Sequence, residues 1–143
     1  MSVKSILNTK GSAVETIEPN ATAQDAALLM EERKIGALVV TTSDFVAGLL
    51  TQRDLAKGLA RYGAKLAVTP VKELMQDLFL SVSPEESTPA VMALMTRRRA
   101  THIPVMDRGR LMGIVSIGDV LKDRLLDLEL HTRVRRGAYV TTH

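Results

Sequence analysis

The sequence contains no cysteine and no tryptophan, and aromatic residues make up only 3% of its 143 residues. The absence of cysteine excludes a disulfide scaffold, a thiolate metal site and a cysteine nucleophile. The core must therefore be aliphatic, filled by Leu, Val, Ile, Ala and the 7 Met. No apolar run approaches the ~20 residues that a bilayer-spanning helix needs, and the N-terminus lacks the features of a secretory signal. These absences predict a soluble protein of the cytoplasm.

The charge balance is mildly basic, with 19 Lys and Arg against 16 Asp and Glu and a net charge of +3. This charge suits an anionic small ligand but is too low to indicate nucleic acid by itself. The basic runs at Arg97-Arg98-Arg99 and in the tail at Arg133, Arg135 and Arg136 lack interleaved aromatic residues for base stacking. Nucleic-acid binding is therefore the weakest functional hypothesis.

An internal repeat is the main organising feature of the chain. A shift of 65 residues places 16–57 on 81–122 without a gap. Eight pairs are identical: Pro19/Pro84, Leu29/Leu94, Met30/Met95, Arg33/Arg98, Val40/Val105, Gly48/Gly113, Asp54/Asp119 and Lys57/Lys122.

Each copy has the pattern of a β-α-β-β-α unit. The predicted strands are Val14–Ile17, Ala37–Val40 and Val46–Leu50 in the first copy, and Leu80–Val82, Ile103–Met106 and Leu111–Val115 in the second. Thr22 and Ser87 are predicted helix caps, with Asp25 completing a capping box and Pro89 in a first turn. Residues 58–70 are predicted to form a link, and Leu121–Val134 a helix that extends the second closing helix.

One copy alone is too short to bury both faces of its sheet. We therefore predict an α/β (α+β) fold in which the two copies pack through their sheets about an approximate two-fold axis. The predicted divisions are residues 1–66, 67–125 and a tail over 126–143. Leu121, Leu125 and Leu128 give the tail helix an apolar edge that suits a subunit contact, although a frayed terminus is the alternative.

The sharpest motif closes the second hairpin of each copy, as residues 48–54 and 113–119. A strand ends, a hydroxyl residue caps a helix, and an acid follows three positions later. Ser/Thr-x-x-Asp is nearly a capping box, so a purely structural role is one interpretation. A helix N-terminus with a free hydroxyl is also a phosphate site, and a nearby Asp is the usual acceptor for a ribose diol.

This duplicated Gly-h-h-Ser/Thr-x-x-Asp pattern, with h apolar, resembles a tandem pair of cystathionine-β-synthase (CBS) domains, or Bateman module. Residues 35–40 and 101–107 also match the family pattern, and the resemblance spans about residues 3–125.

The resemblance implies two clefts that bind AMP, ADP, ATP, S-adenosylmethionine or NAD(H), and commonly a homodimer. Asp54 and Asp119 would hold the ribose hydroxyls, and Thr51 or Ser116 would contact phosphate. The base would lie against the first short strand and near the start of the second. The remaining site residues are then Thr16, Ile17, Gly36, Ala37, Arg53, Ser81, Val82, Thr101, His102, Ile103 and Pro104.

The two clefts are unequal, because Ala37 and Arg53 in the first copy stand where the second has His102 and Gly118. We expect adenosine at the second cleft, since Gly118 lets the backbone approach closely. Arg53 either reaches a phosphate or is an exposed first-turn arginine, and Lys10 lies in a loop able to fold over a ligand. His102 lacks partners at metal-ligand spacing, so no metal is predicted.

No catalytic motif is recognisable in the sequence. The prediction is therefore a binding module and not an enzyme: an energy or redox sensor whose response is read by an unidentified protein. A structural dimerisation module, in which the Ser/Thr-x-x-Asp motifs only cap helices, is the alternative.

Overall fold

The structure is a computed structural model that describes residues 2–43, 45–77 and 80–139, with side chains described as far as 132. The mixed helix and strand architecture predicted from the sequence is confirmed. The elements in chain order are α1 (Val3–Lys10), β1 (Thr16–Ile17), α2 (Ala23–Arg33), β2 (Ala37–Thr41), β3 (Val46–Thr51), α3 (Gln52–Tyr62), α4 (Thr88–Arg98), β4 (His102–Asp107), β5 (Arg110–Ser116) and α5 (Ile117–Tyr139). Two 3₁₀ helices, Gly63–Val68 and Val71–Glu73, lie between α3 and α4.

The chain forms two compact units whose bounds differ from the limits of the sequence repeats. The contiguous unit comprises residues 13–81, and the composite unit comprises residues 1–12 and 82–143. The N-terminal segment, which sequence analysis grouped with the first copy, thus belongs to the unit that holds the second. Backbone hydrogen bonds from Val3 to Glu86 (2.9 Å) and from Lys4 to Pro84 (2.9 Å) hold it there.

The contiguous unit is built on a three-stranded sheet in the order β1-β2-β3, in which β1 is parallel and β3 antiparallel to β2. Its core joins strand and helix residues with the segment after α3: Ala26, Met30, Leu38, Val40, Leu50 and Val71. Helix α2 begins at the predicted capping box of Thr22 and Asp25. It ends at Lys34, which has left-handed backbone geometry.

The composite unit is built on the β4-β5 hairpin. Arg108 and Gly109, which lie between β4 and β5, both have positive φ, which matches the twist of a tight hairpin. Helix α4 is capped by Ser87 with Pro89 in its first turn, also as predicted. The predicted strand Leu80–Val82 is reduced to one parallel bridge between Val82 and Val105, which corresponds to the pairing of Ile17 with Val40.

The prediction of a link over residues 58–70 is wrong for most of that range. Helix α3 continues to Tyr62, and a 3₁₀ helix follows directly. Gly58 is buried within α3, where an added methyl group would lie 2.7 Å from side-chain carbons of both Leu66 and Leu74. This glycine therefore permits close packing and does not mark a linker.

The predicted helical tail is confirmed, since α5 continues to Tyr139. Leu121, Leu125 and Leu128 are 47%, 63% and 54% exposed. The side chains of the basic tail residues 133, 135 and 136, and of Val134, lie outside the described residues. Within the described ranges, no helix is both long enough and apolar enough to cross a bilayer.

Candidate functional site

Both Ser/Thr-x-x-Asp motifs form complete capping boxes at the start of α3 and α5. The backbone N–H of Thr51 donates to Oδ2 of Asp54 (2.8 Å), and the N–H of Asp54 donates to the Thr51 hydroxyl (3.3 Å). The equivalent distances for Ser116 and Asp119 are 2.9 and 3.1 Å. The structural role of the motif is thereby confirmed. Any ligand role depends on the acceptor capacity that remains on each carboxyl group.

The start of the second strand in each copy is tied to the start of the closing helix. The N–H of Gln52 donates to the carbonyl of Gly36 (3.1 Å), and the N–H of Ile117 donates to the carbonyl of Thr101 (2.8 Å). In the composite unit, His102 is also the direct strand partner of Ser116. The fold therefore brings Thr101 and His102 next to the Asp119 motif, as the sequence analysis expected.

Other predicted residues are positioned differently for contact with a ligand. Thr16 and Ser81 are exposed, whereas Ile103 and Pro104 are buried in β4. The carbonyl of Pro104 already accepts a hydrogen bond from the N–H of Val82 (3.0 Å). The side chain of Ile103 is fully buried, so as the structure stands it is inaccessible to a ligand.

The Asp54 site is the surroundings of the Asp54 carboxyl group in the contiguous unit. Asp54 is only 4% exposed. Its Oδ2 also accepts the Thr51 hydroxyl (3.0 Å), and the side-chain amide of Gln76 lies 3.0 Å from both carboxyl oxygens. Gln76 is 22 residues away in sequence, and the sequence analysis did not identify it. The role of the exposed Arg53 toward phosphate stays a prediction.

A hollow of about 280 Å³ lies beside Asp54. Its lining residues include Lys57 and Arg61 on α3 and Glu73 in the 3₁₀ helix. Tyr62 also lines the hollow, and the centroid of its ring lies 6.0 Å from the Arg61 guanidinium.

The Asp119 site is the surroundings of the Asp119 carboxyl group in the composite unit. The ammonium of Lys10 lies 2.7 Å from Oδ2 of Asp119, and the two side chains are 32% and 23% exposed. Burial raises the pKa of Asp119, but the hydrogen bonds and charge from Lys10 and the bonds from Ser116 outweigh this effect and lower the pKa overall. Asp119 is therefore a partly exposed carboxylate at neutral pH.

His102 is half-buried beside this carboxylate, with its Nδ1 2.9 Å from the Thr101 hydroxyl oxygen. Burial lowers the pKa of His102, and the positive charge of Lys10 lowers it further, while Asp119 opposes both effects. The ring is thus neutral at neutral pH and can both donate and accept a hydrogen bond. Within the described residues, no group of three His, Asp or Glu side chains is arranged to hold a metal ion.

A hollow of about 140 Å³ adjoins Asp119. It is lined by Ile6, Thr9, Lys10, Asp119, Lys122, Asp123 and Leu126. Pockets that enclose a whole small molecule usually have roughly 300–1,000 Å³, so this hollow fits a sugar or a phosphate group. Lys122 was not predicted as a site residue, although the Lys57/Lys122 match placed a cation one turn after each motif aspartate.

The chain belongs to the CBS domain family, whose sequence profile matches it twice, over residues 3–61 and 71–125. It is 32% identical over 123 residues to the CBS domain-containing protein YhcV of Bacillus subtilis, covering 86% of this chain and 87% of the relative. The crystal structure of the CBS-domain containing protein ATU1752 from Agrobacterium tumefaciens is similar at 40% identity and a TM-score of 0.84, covering 87% and 99% of the two chains. A CBS-domain structure from Burkholderia ambifaria, described as a candidate signal-transduction protein, has 39% identity and a TM-score of 0.84, covering 89% and 96%.

Tandem CBS-domain proteins are generally regulatory and bind small ligands, and stand-alone members are typically not catalytic. CBS domains generally bind adenosine-containing ligands, and they commonly form oligomers.

Proposed function

We propose that this chain is a regulatory module that binds an adenine nucleotide at the Asp119 site. The observation that carries the proposal is a partly exposed aspartate, fixed at a helix N-terminus and adjoining a hollow with two lysines. A carboxylate is a suitable acceptor for the two hydroxyls of a ribose, and a helix N-terminus with nearby cations suits phosphate. The site therefore combines the two chemistries that a nucleotide requires.

Lys10 occupies one acceptor position of Asp119, which a ribose diol would also use. When the diol binds, the Lys10 ammonium moves from the carboxylate to the phosphate, and Lys122 supplies a second cation one turn along α5. The neutral imidazole of His102 lies on the side where the base is expected. Binding thus exchanges the ion pair of Lys10 with Asp119 for one with phosphate, while the diol hydroxyls replace Lys10 as donors to the carboxylate, which limits the cost of binding.

The experiment is calorimetric titration and thermal denaturation with AMP, ADP, ATP, NAD, NADH and S-adenosylmethionine. Stabilisation should rise with the logarithm of ligand excess. Asp119→Ala should weaken binding by about 1–3 kcal/mol, which corresponds to roughly 5- to 150-fold in affinity.

The matched control is Asp25→Ala, which removes the capping-box acid of α2 and leaves the Asp119 site intact. Both variants lose a helix cap, so both should melt earlier, but only Asp119→Ala should lose affinity. If no adenosine compound shifts the melting temperature at millimolar concentration, the proposal fails. Equal affinity in the two variants would show that Asp119 has only its capping role.

A structural dimerisation module is the second candidate, favoured by the exposed Leu121, Leu125 and Leu128 on α5. In that case the protein self-associates without any nucleotide response. Sedimentation of the wild type and of Leu125→Glu, with and without ADP, tests this function directly. The nucleotide proposal likewise includes a cytoplasmic homodimer that signals to a protein target.

A further inference from the structure

We infer that Gln76 closes the Asp54 site, so that each chain binds one nucleotide, at the Asp119 site alone. This inference rests on the proposed function and specifies which of the two matched motifs is open to a ligand. The motifs are alike in sequence, since each places a hydroxyl residue three positions before an aspartate. They differ in what donates to the aspartate from outside the motif.

Around Asp54, three donors already use the carboxyl group: the Thr51 N–H, the Thr51 hydroxyl and the Gln76 amide. The amide reaches both oxygens at 3.0 Å, in the position that two ribose hydroxyls would need. With only 4% of the residue exposed, a diol must first displace Gln76. An uncharged amide that leaves this contact can form no ion pair with the phosphate, in contrast to a lysine.

Backbone hydrogen bonds to β3 hold Gln76 beside Asp54. Its N–H donates to the carbonyl of Leu49 (2.8 Å), and its own carbonyl accepts from the N–H of Leu49 (2.9 Å). A methyl group added at Gly48 would lie 2.5 Å from that same carbonyl oxygen. The missing side chain at Gly48 thus lets the Gln76 segment lie against β3, and the paired hydrogen bonds fix the residue that bears the amide.

The Asp119 site differs in two respects: what the matched glycine packs against, and which side chain donates to the aspartate from outside the motif. The atoms nearest to a methyl group added at Gly113 would be side-chain carbons of Leu7, the first at 2.7 Å. The outside donor to Asp119 is Lys10, the last residue of α1, with a flexible and partly exposed side chain. Lys10 can leave the carboxylate and keep a charged partner when phosphate is present.

Hollow size alone would select the opposite site, because the hollow beside Asp54 is about 280 Å³ and that beside Asp119 about 140 Å³. The larger hollow, however, is lined by Gln76 itself, which covers the carboxyl group. Access to the aspartate, and not volume, therefore decides between the sites.

The test is the number of ADP molecules bound per chain, measured by calorimetry and by equilibrium dialysis. We expect one in the wild type, and after Asp119→Ala the same single site with roughly 5- to 150-fold lower affinity. Gln76→Ala and the similarly sized Gln76→Met remove the amide, and we expect a second, weaker ADP site in both. The double variant Gln76→Met with Asp119→Ala should then show that new site with unchanged affinity, beside the weakened Asp119 site.

Gln24→Ala, an exposed glutamine on α2 of the same unit, is the matched control and should keep one site. Thermal denaturation of each variant establishes that it is folded at the titration temperature. A wild type that binds two ADP per chain, or folded Gln76 variants that still bind one, would overturn the role of Gln76 and leave the proposed function standing. No binding of ADP or of any other adenosine compound by the wild type or by any variant would overturn both.

Discussion

The Lys10 ammonium lies 2.7 Å from Oδ2 of Asp119, joining residues that are 109 positions apart in sequence. The contact fastens the last turn of α1 to the first turn of α5. It also sets the charge state of the proposed ribose acceptor, because the hydrogen bond and charge of Lys10 help to hold the Asp119 pKa below its ordinary value of 3.8.

Lys10→Met should destabilise the folded protein at pH 7 by about 0.5–1 kcal/mol, as expected for a partly exposed ion pair. A carboxyl group whose pKa is lowered by folding contributes stability that is present above the unfolded value and lost as the pH falls through the folded value. The difference in unfolding free energy between wild type and variant should therefore disappear below about pH 3.8. Urea denaturation between pH 7 and 2.5 measures it.

Lys34→Met is the control for this prediction. Its ion pair with Glu31 is about 80% exposed on both sides and should contribute almost nothing at any pH. If Lys10→Met lowers the unfolding free energy by the same amount down to pH 2.5, the apolar stem of Lys10, and not its charge, stabilises the protein.

His102→Asn should remove a loss of stability that the wild type shows in mild acid. Because folding lowers the His102 pKa from its ordinary value of 6.5, the unfolded chain takes up a proton there before the folded chain does. The wild type should therefore lose stability relative to the variant as the pH falls from about 7 to 5. Denaturation curves across this range test the prediction, with the exposed His131→Asn as a control for loss of an imidazole elsewhere. If the unfolding free energies of the wild type and of His102→Asn changed equally with pH, the prediction would be contradicted.

Three Gly→Ala substitutions should rank by what the new methyl group meets. Gly48→Ala places it 2.5 Å from a backbone oxygen and should cost about 2–3 kcal/mol or more. For Gly113→Ala the nearest atoms belong to the movable side chain of Leu7, and the cost should be about 1 kcal/mol. Gly118→Ala meets Ser116 at an ordinary 3.6 Å in the first turn of α5 and should be neutral or stabilising. Denaturant midpoints give the order, and a Gly113→Ala cost equal to that of Gly48→Ala would refute the distinction.

Thr88→Val should cost about 1–3 kcal/mol because it leaves a buried carboxyl group without a donor. The Thr88 hydroxyl is fully buried and donates to Oδ2 of Asp123 at 2.8 Å. Thr96→Val is the control on the same helix, since that exposed hydroxyl donates only to the carbonyl of Met92. Equal unfolding free energies for the two variants would mean that the bond contributes nothing measurable.

The sequence predicted what depends on local chemistry. Thr22 with Asp25, and Ser87 with Pro89, start helices because their signals lie within a few residues of each other. The link predicted over residues 58–70 was wrong, because a glycine such as Gly58, buried under Leu66 and Leu74, looks the same in sequence as one in a linker. The difference between Asp54 and Asp119 was also hidden, since their distinguishing donors, Gln76 and Lys10, are brought to them only by the fold.

The composite unit is formed by two separate stretches of the chain, and this affects the order in which its parts can fold during translation. The contiguous unit holds all its residues in one stretch and can fold as soon as residue 81 has left the ribosome. Residues 1–12 precede the contiguous unit in the chain, but Leu7, Lys10 and their neighbours can meet their partners only after residues 82–123 have been synthesised. This segment therefore takes its place after the unit that follows it, and Val3, Ile6 and Leu7 stay without their partners until then.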